Sequence, residues 1–100
     1  MAIIVKWSDE AKETFDDNIQ FLLEQWTERE IINFVKATNE KILNIEMNPK
    51  IYKRSKKNPS IRKCGINKNI SLFFKYFPNK KEVILLSFWN NRRNPTKLKY

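Results

Sequence analysis

Histidine is absent from this sequence, cysteine occurs once, as Cys64, and glycine once, as Gly65. Without histidine and with one thiol, the chain lacks the ligand set of a structural zinc site. Cys64 has no partner for an internal disulfide, so nothing points to an oxidising compartment. One glycine and four prolines exclude collagen-like and other low-complexity chains. Long apolar runs are missing too. Before Lys6 and Trp7 only Ala2–Val5 is continuously apolar, too short for a signal-peptide core or a membrane span. The expectation is a soluble, cytoplasmic protein with no metal and no other cofactor.

Acid is scarce in one half of the chain only. Residues 1–46 hold ten of the eleven acids and five basic residues, a net of −5; residues 47–100 hold fifteen basic residues and only Glu82, a net of +14. That polarity predicts an acidic lobe and a basic face turned toward a polyanion or an acidic partner. The bland alternative, a merely solubilising surface, must accept the mutual repulsion of those charges. One hundred residues, 41% hydrophobic and 13% aromatic, fit one globular domain spanning 1–100. A chain of this size buries roughly 60–65% of its unfolded surface, enough to fold alone with modest stability.

Ile3–Trp7 reads as a first strand. Ser8 then caps a helix whose first turn carries Asp9 and Glu10, where the helix dipole favours anions. Ala11, Phe15, Ile19, Leu22, Leu23 and Trp26 recur at spacings of three and four and form its apolar face. Thr27-Glu28-Arg29-Glu30 matches a capping box, with Trp26 and Ile31 at the positions of a hydrophobic staple. A second helix therefore follows at once, burying Ile31, Phe34, Val35, Thr38, Ile42 and Ile45 and ending at Asn48-Pro49. Residues 48–60 form a loop with Lys50, Lys53, Arg54, Lys56, Lys57 and no acid.

Three strand-like runs come next. Ile61–Ile66 turns through Asn67-Lys68-Asn69 into Ile70–Phe77, and Pro78-Asn79-Lys80-Lys81 turns that run into Glu82–Trp89. The last two are nearly continuous apolar stretches, as in central strands covered by helices on one face. Phe73, Phe74, Tyr76, Phe77 and Phe88 fall along these strands and read mostly as core. Residues 91–100 form a basic tail. The predicted class is α+β in the order β-α-α-β-β-β, an antiparallel sheet with a helical hairpin on one face and basic residues on the other.

That order, with particular residues, resembles the RelE/ParE superfamily of plasmid-stabilisation toxins over nearly the whole chain. The likeness rests on Val5-Lys6-Trp7-Ser8 with Ala11, the paired helices ending at Asn48-Pro49, Ile61-Arg62-Lys63, and the closing Trp89-Asn90-Asn91-Arg92-Arg93-Asn94-Pro95. It implies the growth-arresting toxin of a type II toxin–antitoxin system, held in a hetero-oligomer by an acidic antitoxin and away from membranes. Members of the family split in mechanism. RelE-like toxins cut messenger RNA in the ribosomal decoding site, whereas ParE-like toxins act on DNA gyrase.

RNA cleavage needs a proton acceptor, cations on the developing phosphorane charge and a proton donor. The resemblance assigns a RelE-like catalytic set to Arg62, Lys56, Lys57, Arg93 and Tyr100. As a ParE-like recognition surface it assigns Arg62, Trp89, Arg92, Arg93 and Lys97. Each has a plainer reading: Arg62 paired with Glu82 across the sheet, Lys56 and Lys57 as solvated loop charges, Arg92 and Arg93 docking only the antitoxin. Trp89 is then rim packing and Tyr100 an unstructured terminus. Trp89 stands where many relatives carry histidine or tyrosine, and an indole cannot exchange protons. Together with the longer helical hairpin, this favours the ParE-like branch over an RNA-cleaving toxin. A basic nucleic-acid-binding module without toxin activity is the third reading.

Overall fold

The computed structural model describes residues 3–25, 27–92 and 98–100. Strand β1 (Ile4–Trp7) leads into helix α1 (Asp9–Gln25) and helix α2 (Glu28–Met47). A short strand β2 (Lys53–Arg54) follows, then β3 (Ile61–Gly65), β4 (Ile70–Phe77) and β5 (Glu82–Asn90). The five strands form one sheet in the order β1-β5-β4-β3-β2. The α+β class and the antiparallel pairing of β3, β4 and β5 agree with the sequence reading. Two features go beyond it: Lys53 and Arg54 add an edge strand, and β1 runs parallel to β5 at the other edge. The parallel pairing is open to these two strands because the helical hairpin and three further strands separate them, long enough a connection for a crossover.

Local signals account for most element ends. Ser8 Oγ accepts from the Ala11 amide at 3.0 Å and caps α1 as expected. Thr27 does precede α2, yet its hydroxyl makes no capping bond; the first turn closes through the Glu30 amide donating to the Thr27 carbonyl at 3.0 Å. Trp26, the other half of the expected staple, lies outside the described residues. Asn67 Oδ1 accepts from the Asn69 and Ile70 amides, both at 2.8 Å, and so shapes the β3–β4 turn. The β4–β5 turn is a single 3₁₀ turn over Pro78–Lys80, closed by Lys81 in the left-handed region at φ 49°.

The hairpin packs on one face of the sheet. Phe34, Thr38 and Ile45 of α2 and Ala11 and Leu22 of α1 are buried against Leu72, Phe74, Val83, Leu85 and Phe88. An aromatic cluster forms the centre: Phe15 lies 5.3 Å from Trp7, 5.2 Å from Phe34 and 5.2 Å from Phe88, ring to ring. Leu23, assigned to the apolar face, is instead 57% exposed, and Asn18 takes a buried place on that face.

Asn18 is buried because of a break in the sheet. β1 stops opposite Leu85, so the following residues of β5, paired with β4 on one side, have no strand on the other. Side chains from the start of α1 take over. Ser8 Oγ donates to the Leu86 carbonyl (3.2 Å), Thr14 Oγ1 accepts from the Phe88 amide (2.9 Å), and Asn18 Nδ2 donates to the Phe88 carbonyl (3.1 Å). Thr14 and Asn18 are four residues apart, so both sit on one helix stripe facing β5. The register shift between Phe73 and Phe74 leaves Leu86 as an extra residue between Leu85 and Ser87. Buried backbone groups that would otherwise be orphaned are thus satisfied at the bulged end of β5.

Candidate functional site

Cross-strand pairs share a face, so register sorts the candidates. Arg54, Arg62 and Phe74 form one row, on the side that meets the helices. Lys53, Lys63, Phe73 and Ser87 form the neighbouring row on the opposite, open side, and Ile61, Lys75, Ile84 and Lys6 a further open-side row. Gly65, Ser71 and Trp89 continue that side. The strands give the open face Lys6, Lys53, Lys63 and Lys75 and one acid, Glu82, which pairs with Lys6 at 3.1 Å.

The expected pairing of Arg62 with Glu82 does not form: register sets Arg62 opposite Phe74 on the helix side and Glu82 opposite Phe77, beyond the end of β3. Arg62 Nη1 donates to the Tyr52 carbonyl at 2.8 Å and to the Lys50 carbonyl at 3.3 Å, fastening the loop after α2 to β3. Around it lies a surface cavity of about 380 Å³ lined by Lys50, Arg54, Ser60, Arg62, Lys75 and Tyr76, with no acid in its wall. Four cations converge there, an arrangement that attracts carboxylates or phosphates.

Tyr100 is packed, and it lies elsewhere. Its ring rests on Phe73 at 5.6 Å between centroids, and its hydroxyl donates to Glu10 Oε2 at 3.1 Å. Glu10 Oε1 meets Lys99 Nζ at 2.6 Å. Burial, then the bond to the Glu10 carboxylate, pushes the Tyr100 phenol above its ordinary value; the same carboxylate raises Lys99. On the other side Ser55 Oγ donates to the Tyr100 carbonyl and Lys57 Nζ to the Leu98 carbonyl. Leu98–Tyr100 thus runs across the open face from the loop after β2 to the start of α1. Trp89 edges a small cavity of about 90 Å³ beside it, shared with Glu10, Thr14, Ser87 and Tyr100.

The candidates therefore separate into groups. Lys57 and Trp89 each adjoin the Leu98–Tyr100 segment, Arg62 belongs to the cationic cavity, and Lys56 stays exposed in the loop. Arg92 lies exposed past β5, where it lines a groove of about 180 Å³ with Asp17, Asn18, Phe21 and Asn90. Arg93 and Lys97 lie outside the described residues. Sequence reasoning missed Glu10, Ser55 and Lys99, the anchors of the tail, and Phe73 beneath it. One signal was present: Phe73 is an aromatic residue on the face where helices do not pack.

No protein-family model matches this sequence, and no curated protein does. Solved structures do match. A chain titled "Chromosomal ParDE TA system from P. aeruginosa" superposes with a TM-score of 0.74 at 16% identity, covering 88% of this chain and 95% of that one. The isolated E. coli RelE toxin superposes with a TM-score of 0.65 at 12% identity, covering 95% of this chain and 90% of that one.

Proposed function

We propose that this chain, which has the RelE/ParE toxin fold, is the growth-arresting toxin of a type II toxin–antitoxin pair, and that it acts in the ParE-like manner by inhibiting DNA gyrase. One observation carries the finer assignment: Arg62 and Tyr100, two of the groups assigned to RNA cleavage, stand on different sides of the sheet. The Tyr100 phenol is committed to Glu10 on the open face, while Arg62 sits on the helix-facing side of β3 with Nη1 on two loop carbonyls. General acid–base help is typically worth 10²–10⁴-fold in rate, and it requires donor and acceptor within hydrogen-bond reach of one phosphate. Cations that do not share a reacting centre suit recognition instead, where each contributes a part of the affinity.

The cationic cavity and the lysines of the open face suit an acidic antitoxin segment, disordered alone and folding on contact. The cavity also favours a second reading, a ribosome-dependent messenger-RNA endoribonuclease, since Arg54, Arg62, Lys50 and Lys75 surround a space that also holds the Tyr76 and Ser60 side chains. Purified protein added to gyrase supercoiling reactions and to programmed ribosomes separates the two: inhibited supercoiling with intact messenger is expected. The reverse pattern assigns the cavity to RNA cleavage.

A further inference from the structure

Phe73 lies on the sheet face away from the helices, yet it is 2% exposed, and Ser87 beside it is 3% exposed. The helical hairpin does not cover them. Phe73 is also not part of the helix-side core cluster. What stacks on Phe73 is the chain's own tail, through the Tyr100 ring. We propose that Leu98–Tyr100 is a reversible strap, latched on Glu10, that gates the aromatic centre of the open face.

Three features make it a strap rather than an extension of the core. First, its apolar contribution is small: one phenol ring on Phe73, with Leu98 at the margin of the small cavity beside Trp89. Second, its polar anchors sit at two ends. Ser55 and Lys57 hold the backbone of Tyr100 and Leu98 on one side, and Glu10 takes both the Lys99 ammonium and the Tyr100 hydroxyl on the other. Third, the ionic anchor is open to water, with the Lys99 side chain 65% and the Glu10 side chain 34% exposed. Partly exposed pairs of this kind are weak and screened by salt. A single carboxylate with two partners on the strap is therefore the catch. When it lets go, Phe73 is uncovered within the row that includes Lys53 and Lys63, and the Lys57 ammonium is freed. Anything that docks on the centre of this face must first lift the strap.

The test uses the full chain with Glu10→Gln, which weakens the catch without adding bulk. Asp9→Asn is the control, since it removes a neighbouring charge from the same helix turn without touching the tail. Two readouts apply: the nuclear Overhauser effect between the Tyr100 and Phe73 rings, and fluorescence of anilinonaphthalene sulfonate, an aromatic anion that reports uncovered apolar surface. In Glu10→Gln the open-to-closed ratio should rise about three- to tenfold, the size expected of one partly exposed carboxylate. The ring–ring effect then weakens and the dye brightens, while Asp9→Asn matches the parent. Raising salt should open the parent in the same way and add little to Glu10→Gln. Tyr100→Ala removes the plug itself and should brighten the dye most. Unchanged ring contact and dye signal in Glu10→Gln, or equal changes in Asp9→Asn, would overturn the latch. A dark Tyr100→Ala with native circular dichroism would overturn the cover.

Discussion

Replacing Thr14 by valine removes one hydroxyl and almost no volume, so it tests the helix-to-strand ladder without opening a cavity. In the parent, Thr14 Oγ1 donates to the Glu10 carbonyl at 2.7 Å and accepts from the Phe88 amide at 2.9 Å. The Glu10 carbonyl lies within α1 and loses only a supplementary donor. The Phe88 amide is the costly loss, because Phe88 is 2% exposed and β1 has already ended beside that stretch of β5. A buried N–H left without a partner costs about 1–3 kcal/mol. For a domain of this size each kcal/mol moves Tm by about 4–8 °C. Thr14→Val should therefore lower Tm by roughly 4–24 °C in calorimetry, while Thr14→Ser, which keeps the oxygen, stays within about 0.5 kcal/mol of the parent. Asn18→Leu should also destabilise, and the double variant should fall short of the sum because both side chains bind the same Phe88 peptide units. A Thr14→Val protein as stable as the parent would refute the claim that α1 stands in for a missing strand.

Cys64, 1% exposed and with its thiol pushed up by burial, should resist Ellman's reagent at pH 8 in the native protein and react fully once unfolded. The phenol of Tyr100 is raised mainly by burial, so its packing is fully present below its ordinary value of 10.0 and is lost as pH climbs above it. Tyrosinate absorbance of the parent minus that of Tyr100→Phe should accordingly rise only above about pH 10; a titration below 10 contradicts the packed phenol. An acidic antitoxin segment should bind less tightly as salt rises, and Arg54→Ala and Lys75→Ala should each weaken it partially; affinity indifferent to salt in calorimetry would place the interface away from the cations.

Elements with a periodic apolar signal were legible in the sequence. Helix α2 buries Phe34, Thr38 and Ile45 as its spacing predicts, and β3–β5 pair through the turns read from Asn67–Asn69 and Pro78–Lys81. What was not legible depends on partners distant in the chain. Lys53-Arg54 is too short to carry a period, and becomes a strand because β3 offers it an edge. Asn18 reads as a polar interruption of the α1 stripe until the end of β1 leaves Phe88 without a strand on that side. Of the candidate site, the basic character of the second half was plain from composition. The division of Arg62 from Tyr100 was not, since it turns on β3 register and on a tail contact with Glu10 that spans ninety positions. The capping box at Thr27 is the reverse case, a local pattern whose side-chain bond the fold does not use.

The gyrase assignment is tested most directly by growth arrest in cells expressing the parent, Arg62→Ala or Arg92→Ala, with messenger RNA ends mapped at ribosomes and DNA supercoiling read from the same cultures. The account predicts arrest by the parent, loss of supercoiling with uncut messenger, and a graded loss of potency in each arginine variant, because several cations contribute to recognition and none performs a chemical step. Ribosome-dependent RNA ends in the parent, abolished outright by Arg62→Ala in a protein that still folds and binds its antitoxin, would contradict it.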